Sequence, residues 1–164
     1  MGQIVERSSD ATEEPSPAVG RRSEAGVRTD AVNVVFTTVE DTLAAVRLAQ
    51  SLAKAMAVPL TLMYFRAVSY AVSVNTPDEA STAETDAFVN RLRAEGIDVR
   101  VRIFLCRNVP QALQLAFRRH SLIVIGGHRG WWPTASERWR RALEAAGHFV
   151  LFVQKSRRME EANA

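Results

Sequence analysis

The strongest constraint on the fold of this chain is an unbroken run of large aliphatic residues at positions 122–125, which reads LIVI. A strand covered on both faces of a parallel sheet has this composition, because neither face meets water. Gly126, Gly127 and Gly130 follow, and glycine lets a backbone adopt a positive φ or approach a ligand closely. The pattern therefore predicts a buried strand that ends in a glycine-rich turn.

A helix start follows this turn. Thr134 comes after Pro133 and three residues before Glu137, which is the spacing of a capping box. Unpaired backbone N–H groups and the positive end of the helix dipole meet at such a junction, so it is a potential anion site. We expect the functional site of the chain to lie within residues 121–136.

The rest of the chain alternates between strand-like and helix-like segments. Apolar runs predict four further strands, and apolar residues at helical spacing predict four helices. Gly96 and Gly147 stand at the ends of two helical patterns, where glycine commonly ends a helix. The predicted strands are 31–38, 58–65, 97–105, 122–125 and 150–153, and the predicted helices are 41–56, 78–95, 108–117 and 134–146.

Five strands that alternate with four helices predict an α/β fold, an open five-stranded parallel sheet with helices on both faces. Right-handed crossovers leave few layouts, and we expect the strand order 3-2-1-4-5. In this class ligands bind at the carboxyl ends of the strands where the order reverses, here between strands one and four. Thr37 and Thr38 would then face residues 126–130, with either Thr38 or Asp41 capping the first helix.

Two of the predicted strands indicate what lies at the edges of the sheet. Residues 97–105 alternate between apolar residues on one face and Asp98, Arg100 and Arg102 on the other, which predicts a half-solvated edge strand. Residues 150–153 are apolar and end the domain. We expect them to pair with the same strand of a second copy in a homodimer.

Composition bounds the organisation of the chain. Its 164 residues are 47% hydrophobic and 24% charged, which suits one domain with a full core. Residues 1–30 contain few large apolar side chains and predict a disordered tail, residues 31–154 form the domain, and residues 155–164 form a polar tail. No stretch approaches the roughly 18 to 20 apolar residues of a membrane span, and no signal peptide is recognisable. A soluble cytoplasmic protein without a membrane partner is expected.

Cysteine content and charge narrow the chemistry. The single Cys106 excludes an intramolecular disulfide and a cysteine-based zinc site, and no metal site is predicted. The net charge of +3 comes from arginines concentrated after residue 115, which permit a phosphate-bearing partner. Neighbouring positions of a helix point about 100° apart, so Arg138, Arg140 and Arg141 spread around its surface and a shared phosphate clamp is not expected. No nucleic-acid-binding motif accompanies them, and a nucleic-acid partner is not expected.

Three features make residues 31–154 resemble the universal stress protein family. They are the first strand and helix, the helix start N-x-P-Q-A-L at Asn108, and the segment SLIVIGGHRG, which is similar to the family's D-L-I-V-I-G-S-H-G-R. The resemblance implies a nucleotide-binding-like fold that often dimerises. For members that bind ATP, the resemblance implies a sequence motif in which G-x-x-G is followed by nine residues and then by Gly and either Ser or Thr. It also implies an Asp at the end of the first strand.

The chain departs from that nucleotide motif at two places. Gly127 and Gly130 have the G-x-x-G spacing, but arginines stand at positions 140 and 141, where Gly-Ser is expected. Thr37 or Thr38 holds the place of the Asp. The resemblance therefore implies a nucleotide cleft that has been remodelled.

A shorter loop would restore part of the motif. Counted back from the last strand, the Gly-Ser position falls near residues 135 and 136, where hydroxyl and N–H groups could meet a phosphate. Residues expected to contact a nucleotide on this basis are Thr37, Thr38, Gly126, Gly127, Arg129, Gly130, Thr134 and Ser136.

Three residues beside the turn leave alternatives open. His128 follows the family motif, and a lone loop histidine is expected to be a surface or packing residue rather than a catalytic base. Trp131 and Trp132 could form a lid on the sheet, an interface anchor or a stacking surface for a base.

Three functional hypotheses follow. The first is a non-catalytic stress-response or signalling module, homodimeric, with a remodelled nucleotide cleft and no required cofactor. The second is an adenine-nucleotide-binding module that holds ATP or AMP through residues 127–136 and Arg129. The third is a slow ATP phosphohydrolase in the same cleft. No catalytic residue is assigned for it, because no cysteine, carboxylate or second histidine is placed by the sequence to activate a nucleophile.

Overall fold

The structure is a computed structural model that describes residues 4–5, 29–69, 79–128 and 134–154. Parallel strands alternate with helices along the chain, after one short strand at the beginning. The strands are β1 (Ile4–Val5), β2 (Val32–Val35), β3 (Leu60–Ala67), β4 (Arg100–Cys106), β5 (Leu122–Gly127) and β6 (Phe149–Gln154), and the helices are α1 (Val39–Met56), α2 (Glu79–Ala94), α3 (Val109–Ala116) and α4 (Ala135–Ala145).

The strands form one sheet in the order β1-β4-β3-β2-β5-β6. All pairings among β2 to β6 are parallel, which confirms the predicted α/β sheet and its strand order 3-2-1-4-5. β2 lies in the middle, with Val32 opposite Leu60 of β3 on one side and opposite Leu122 of β5 on the other. The strand order therefore reverses beside β2, and the carboxyl ends of β2 and β5 are neighbours, as predicted.

Helices cover both faces of the sheet. One apolar core packs α1 and α2 on the sheet and includes the fully buried Leu62 and Leu92. The other core packs α3 and α4 on the opposite face and includes the fully buried Leu113. Successive strand residues point to opposite faces, so Ile123 and Val124 of β5 belong to different cores. This explains why the LIVI run contains no polar residue.

Local capping rules set the predicted helix starts. The side chains of Thr38, Asn108 and Thr134 each accept a hydrogen bond from the backbone N–H three residues later, at 3.2, 3.0 and 3.3 Å. Since Thr38 rather than Asp41 is the cap of α1, that helix begins at Val39, two residues before the predicted start.

The end of β5 differs from the prediction. Gly126 and Gly127 continue the strand and pair with the last two residues of β6, so they are not turn residues. Among the described glycines a positive φ occurs at Gly96 (74°) and Gly147 (84°), which follow α2 and α4 closely. The predicted helix stops are confirmed, whereas a positive φ at Gly126 and Gly127 is wrong, and Gly130 lies outside the described residues.

The arginine face of β4 is also less solvated than predicted. Phe104 lies on the same face as Arg100 and Arg102, is 8% exposed, and stacks on Phe65 with ring centroids 5.0 Å apart. Cys106, two residues on, is also buried. The carboxyl half of β4 is therefore buried on the face that carries the arginines, because the alternation of charge with apolar residues stops at Arg102.

β1 adds a strand that the sequence did not predict. It runs antiparallel to β4, with Ile4 opposite Phe104 and Val5 opposite Ile103. Residues 6–28 and 155–164 lie outside the described residues, and the disorder predicted for both tails stays a prediction. Within the described ranges, no helix has the length and apolar character needed to cross a membrane.

Candidate functional site

A hydrogen bond crosses the crevice between the ends of β2 and β5. The Thr37 hydroxyl donates to the carbonyl oxygen of Gly126 at 2.9 Å. The backbone N–H of Thr37 donates to the Thr42 hydroxyl in the first turn of α1 at 3.0 Å. Thr37 therefore ties β2 to β5 and to α1, and both its hydroxyl proton and its amide proton are used within the protein.

Gly126 allows α1 to start against the sheet. A Cβ built on Gly126 would lie 1.9 Å from the carbonyl oxygen of Asp41 and 2.4 Å from its carbonyl carbon. No side chain fits between β5 and the first turn of this helix. The close approach predicted for this glycine is made by the protein's own backbone.

Gly127 has the same function on the opposite face of the sheet. A Cβ there would lie 2.5 Å from Ser136 Oγ and 2.7 Å from Phe152 Cζ. Ser136 belongs to the first turn of α4, is 7% exposed, and shares a 2.9 Å hydrogen bond with the Thr134 hydroxyl. The missing side chain of Gly127 therefore admits the start of α4 and the ring of Phe152.

A buried carboxylate lies beside an exposed imidazole at the same end of the sheet. Asp41 is the third residue of α1, and its side chain is 10% exposed. Asp41 Oδ2 lies 3.5 Å from His128 Nδ1, and the His128 side chain is 68% exposed.

Sequence reasoning considered Asp41 as a possible cap of α1 and did not connect it with His128. A signal for the pair existed, because each residue follows the end of one of two neighbouring parallel strands. The strand order alone therefore brings them near each other.

The structure brings the predicted site residues together in two groups. Thr37 and Gly126 meet on the α1 side of β5, whereas Gly127, Thr134 and Ser136 meet on the α4 side. Thr38 is the cap of α1 and is exposed. The predicted residues that lie outside the described ranges are Arg129, Gly130, Trp131 and Trp132.

A cavity of about 310 Å³ lies on the α4 side, lined by Glu137, Arg140, Phe152 and Gln154. Its arginine is already engaged. Arg140 Nη1 lies 2.8 Å from both carboxylate oxygens of Glu144, and its guanidinium carbon is 5.9 Å from the centre of the Phe152 ring. Any anion that used this arginine would compete with that ion pair.

The arginines of α4 are also divided among different partners. Arg141 pairs with Glu137 at 3.1 Å, one turn before it in the helix, whereas Arg140 pairs with Glu144, one turn after it. This division agrees with the expectation that the arginines of α4 do not share one phosphate.

The described side chains offer little reactive chemistry. Burial raises the pKa of the Cys106 thiol, and its sulfur lies 3.4 Å from the carbonyl oxygen of Arg66, so the neutral thiol is favoured. Within the described ranges, no three His, Cys, Asp or Glu side chains are grouped closely enough to hold a metal ion. The site therefore consists of hydroxyl groups, backbone groups and one Asp–His pair.

Comparisons with known proteins identify the fold. No protein-family model matches the chain, and a search of curated proteins found no match. Among solved structures, the universal stress protein from Archaeoglobus fulgidus in complex with dAMP is similar, with a TM-score of 0.52, 16% sequence identity, and coverage of 77% of this chain and 98% of that chain. A protein from the universal stress protein family from Burkholderia pseudomallei gives a TM-score of 0.47, 17% identity, and coverage of 79% of this chain and 98% of that chain. The chain has the fold of the universal stress proteins, as the resemblance of its motifs implied.

Proposed function

We propose that this chain is a non-catalytic stress-response or signalling module of the universal stress protein type, with a remodelled nucleotide cleft. The observation that carries the proposal is the hydrogen bond from Thr37 to Gly126 across the crevice between β2 and β5. Thr37 or Thr38 stands where the resemblance implies an aspartate in members that bind ATP. Both hydroxyls form hydrogen bonds within the protein, Thr37 to Gly126 of β5 and Thr38 to the first turn of α1.

The packing around this bond supports the same conclusion. α1 starts directly on Gly126, so its first turn and β5 are in contact at the crevice. A ligand that needed the Thr37 proton would have to break a bond between two strands of the sheet. Replacing a bond within the protein by a bond to the ligand brings little net free energy.

The described hydroxyl groups also argue against catalysis. Nucleophilic catalysis requires a hydroxyl within hydrogen-bond reach of a base. In the part of the chain that the structure describes, no hydrogen bond joins His128 to a hydroxyl, and its Nδ1 is directed to Asp41 instead. A slow phosphohydrolase would have to activate water instead, and no residue is assigned to that step.

Nucleotide binding is tested by titrating the full chain with ATP and Mg²⁺, and separately with AMP, in a calorimeter. We expect no saturable heat up to millimolar ligand. Saturable binding with a sub-millimolar Kd would overturn the remodelled-cleft proposal. The wild type should release phosphate from ATP no faster than the His128→Ala variant does. A difference between the two would favour the enzyme.

The second candidate, an adenine-nucleotide-binding module, has its own supporting observation. The hydroxyls of Thr134 and Ser136 lie at the N-terminus of the eleven-residue helix α4, beside Gly127. The similar structure from A. fulgidus was determined with dAMP. If this candidate holds, heat from AMP or ATP appears and Ser136→Ala weakens binding. Ser51→Ala, which removes an exposed hydroxyl in the middle of α1, should not weaken it.

Homodimerisation through the last strand is part of the proposal. β6 pairs only with β5 among the described strands and forms that edge of the sheet. Phe149 and Leu151 are 45% and 40% exposed, so the edge strand also presents apolar surface. Pairing with a second β6 would satisfy the edge and cover these side chains.

Light scattering coupled to gel filtration tests this interface. We expect a dimer for the wild type at tens of micromolar and a monomer for Leu151→Asp. Leu115→Asp is the matched control, because Leu115 is 78% exposed on α3 and lies outside β6. This variant should remain dimeric. A monomeric wild type, or equal effects of the two variants, would count against pairing through β6.

A further inference from the structure

The pair formed by Asp41 and His128 is not used by the proposed function. We propose that His128 is a phosphorylation site, whose ring atom Nε2 accepts a phosphoryl group from a phosphoramidate, a donor in which phosphorus is bonded to nitrogen. Asp41 acts as the positioning residue of the ring. The inference goes beyond the proposed function, because it requires neither a bound nucleotide nor a second copy of the chain.

The first argument concerns the two nitrogen atoms of the His128 ring. Nδ1 lies 3.5 Å from Asp41 Oδ2. A neutral imidazole carries one N–H, and an ionised carboxylate only accepts hydrogen bonds, so Asp41 favours the tautomer with the proton on Nδ1. Nε2 then carries the lone pair. Because the His128 side chain is 68% exposed, a donor in solution can reach the ring.

The second argument is that the pair is held by fixed backbone. The backbone N–H of Asp41 donates to the Thr38 hydroxyl at 3.2 Å, and the carbonyl group of Asp41 lies against Gly126. His128 directly follows β5, which pairs with β2 and with β6. The carboxylate is therefore in place before a donor arrives and does not have to be ordered during the reaction.

The third argument concerns the charge of the group that is added. Asp41 is the third residue of α1, so the imidazole lies beside the first turn of that helix. The first turn of α4 reaches the residue before His128, because Ser136 packs on Gly127. Two helix N-termini at one end of the sheet favour a phosphoryl anion there. The anion on Nε2 and the carboxylate beside Nδ1 would lie on opposite sides of the ring.

The transfer is a substitution at phosphorus. The lone pair of Nε2 forms the new bond to phosphorus while the bond between phosphorus and the donor nitrogen breaks. That nitrogen is already protonated in the donor, so it keeps the electron pair of the broken bond and leaves as neutral ammonia. The ring gains the positive charge, and its Nδ1 proton remains directed at Asp41. The step needs no general acid, which fits a pair that supplies one nucleophile and one carboxylate.

The two other histidines of the chain provide an internal comparison. His120 is exposed, and among the described residues no carboxylate forms an ion pair with it. His148 is only 9% exposed. If the carboxylate activates the imidazole, His128 should react faster than His120, although both are exposed, and His148 should react slowest.

The test treats the full chain with the small molecule phosphoramidate, without any nucleotide. Two matched variants each keep one exposed histidine, since His120→Gln keeps His128 and His128→Gln keeps His120. Phosphohistidine is followed by phosphorus NMR and located by tandem mass spectrometry. We expect His120→Gln to react about tenfold faster than His128→Gln, the lower end of the effect that carboxylate partners have on metal-bound histidines. The difference should disappear when both variants are unfolded in urea.

Asp41→Asn tests the positioning role. The amide keeps the shape of the carboxylate but can also donate a hydrogen bond, so it no longer fixes the proton on Nδ1. In the wild type we expect the phosphoryl group of His128 on Nε2 alone. In Asp41→Asn we expect slower reaction of His128 and a mixture of the Nε2 and Nδ1 isomers, which phosphorus NMR resolves. A merely structural role of Asp41 would not change which ring nitrogen reacts.

Three results would overturn the proposal. They are equal rates for folded His120→Gln and His128→Gln, phosphorylation of wild-type His128 on Nδ1, and an unchanged rate and isomer in Asp41→Asn. The first two results do not involve Asp41→Asn, so they decide the question even if that variant fails to fold. None of the three depends on nucleotide binding or on dimerisation, so failure of this proposal is distinguishable from failure of the proposed function.

Discussion

Replacing Gly126 with alanine tests whether the glycines at the end of β5 serve packing or a ligand. The new Cβ would lie 1.9 Å from the Asp41 carbonyl oxygen, whereas real Cβ atoms essentially never approach closer than 3.0 Å. Backbone must therefore move by about 1 Å, either in β5 or in the first turn of α1. Neither element moves freely, because β5 is hydrogen-bonded on both sides and α1 is fixed by its cap.

The expected magnitude follows from what the new methyl group meets. Overpacking a well-packed core costs about 1–3 kcal/mol and occasionally more, and a clash with backbone belongs at the upper end. We expect Gly126→Ala to lower the free energy of unfolding by about 3 kcal/mol or more. Gly127→Ala meets the side chains of Ser136 and Phe152, which can rotate, so about 1–2 kcal/mol is expected.

Gly147→Ala is the control for the general effect of removing a glycine. A Cβ added at Gly147 would meet no atom within 4 Å, but the residue has a φ of 84°. The expected loss of unfolding free energy, roughly 1 kcal/mol, therefore comes from backbone strain alone. Urea unfolding followed by circular dichroism gives the free energies for the three variants and the wild type. If the m value, the slope of unfolding free energy against urea concentration, is the same for all four proteins, their free energies can be compared directly.

The result that would refute this reasoning is a loss below about 1 kcal/mol for Gly126→Ala, or a loss no larger than that of Gly127→Ala. Full stability with loss of nucleotide binding would instead show that Gly126 is reserved for a ligand. Packing and ligand binding thus predict opposite patterns for the same substitution.

Two titratable side chains provide further predictions. Burial, together with the nearby His120, lowers the pKa of His148, so the unfolded state binds its proton more readily and the free energy of unfolding should fall as the pH drops below about 6.5. Urea titrations between about pH 5 and pH 7.5 should show a weaker fall in the free energy of unfolding for His148→Phe than for the wild type. An unchanged slope in His148→Phe would contradict the assignment. For Cys106, whose thiol pKa is raised by burial, a thiol reagent at pH 8 should react much more slowly with the native protein than with the urea-unfolded chain. Equal rates would show that the thiol is accessible in the folded state.

The parts of the fold set by local rules could be predicted from the sequence. Helix caps at Asn108 and Thr134 depend on a side chain and an N–H three residues later, and the strand order depends on alternating elements and right-handed connections. The unbroken apolar run at 122–125 correctly indicates a strand with a core on each face.

Features that depend on contacts between distant residues could not be predicted in the same way. Nothing near Gly126 in the sequence shows that the Asp41 backbone lies against it, so two glycines after a strand were interpreted as a turn. The proximity of Asp41 and His128 joins residues 87 positions apart. β1 was missed because two residues carry no periodic pattern, and Phe104 was missed because the charged alternation ends before it.

The adjacent glycines of β5 also have a mechanical consequence. Because neighbouring strand residues face opposite sides, Gly126 admits the start of α1 on one face and Gly127 admits the start of α4 on the other. At this cross-section the Asp41 backbone and the Ser136 side chain are separated by a single layer of backbone. The end of β5 therefore holds the first turns of α1 and α4 against opposite faces of two consecutive residues.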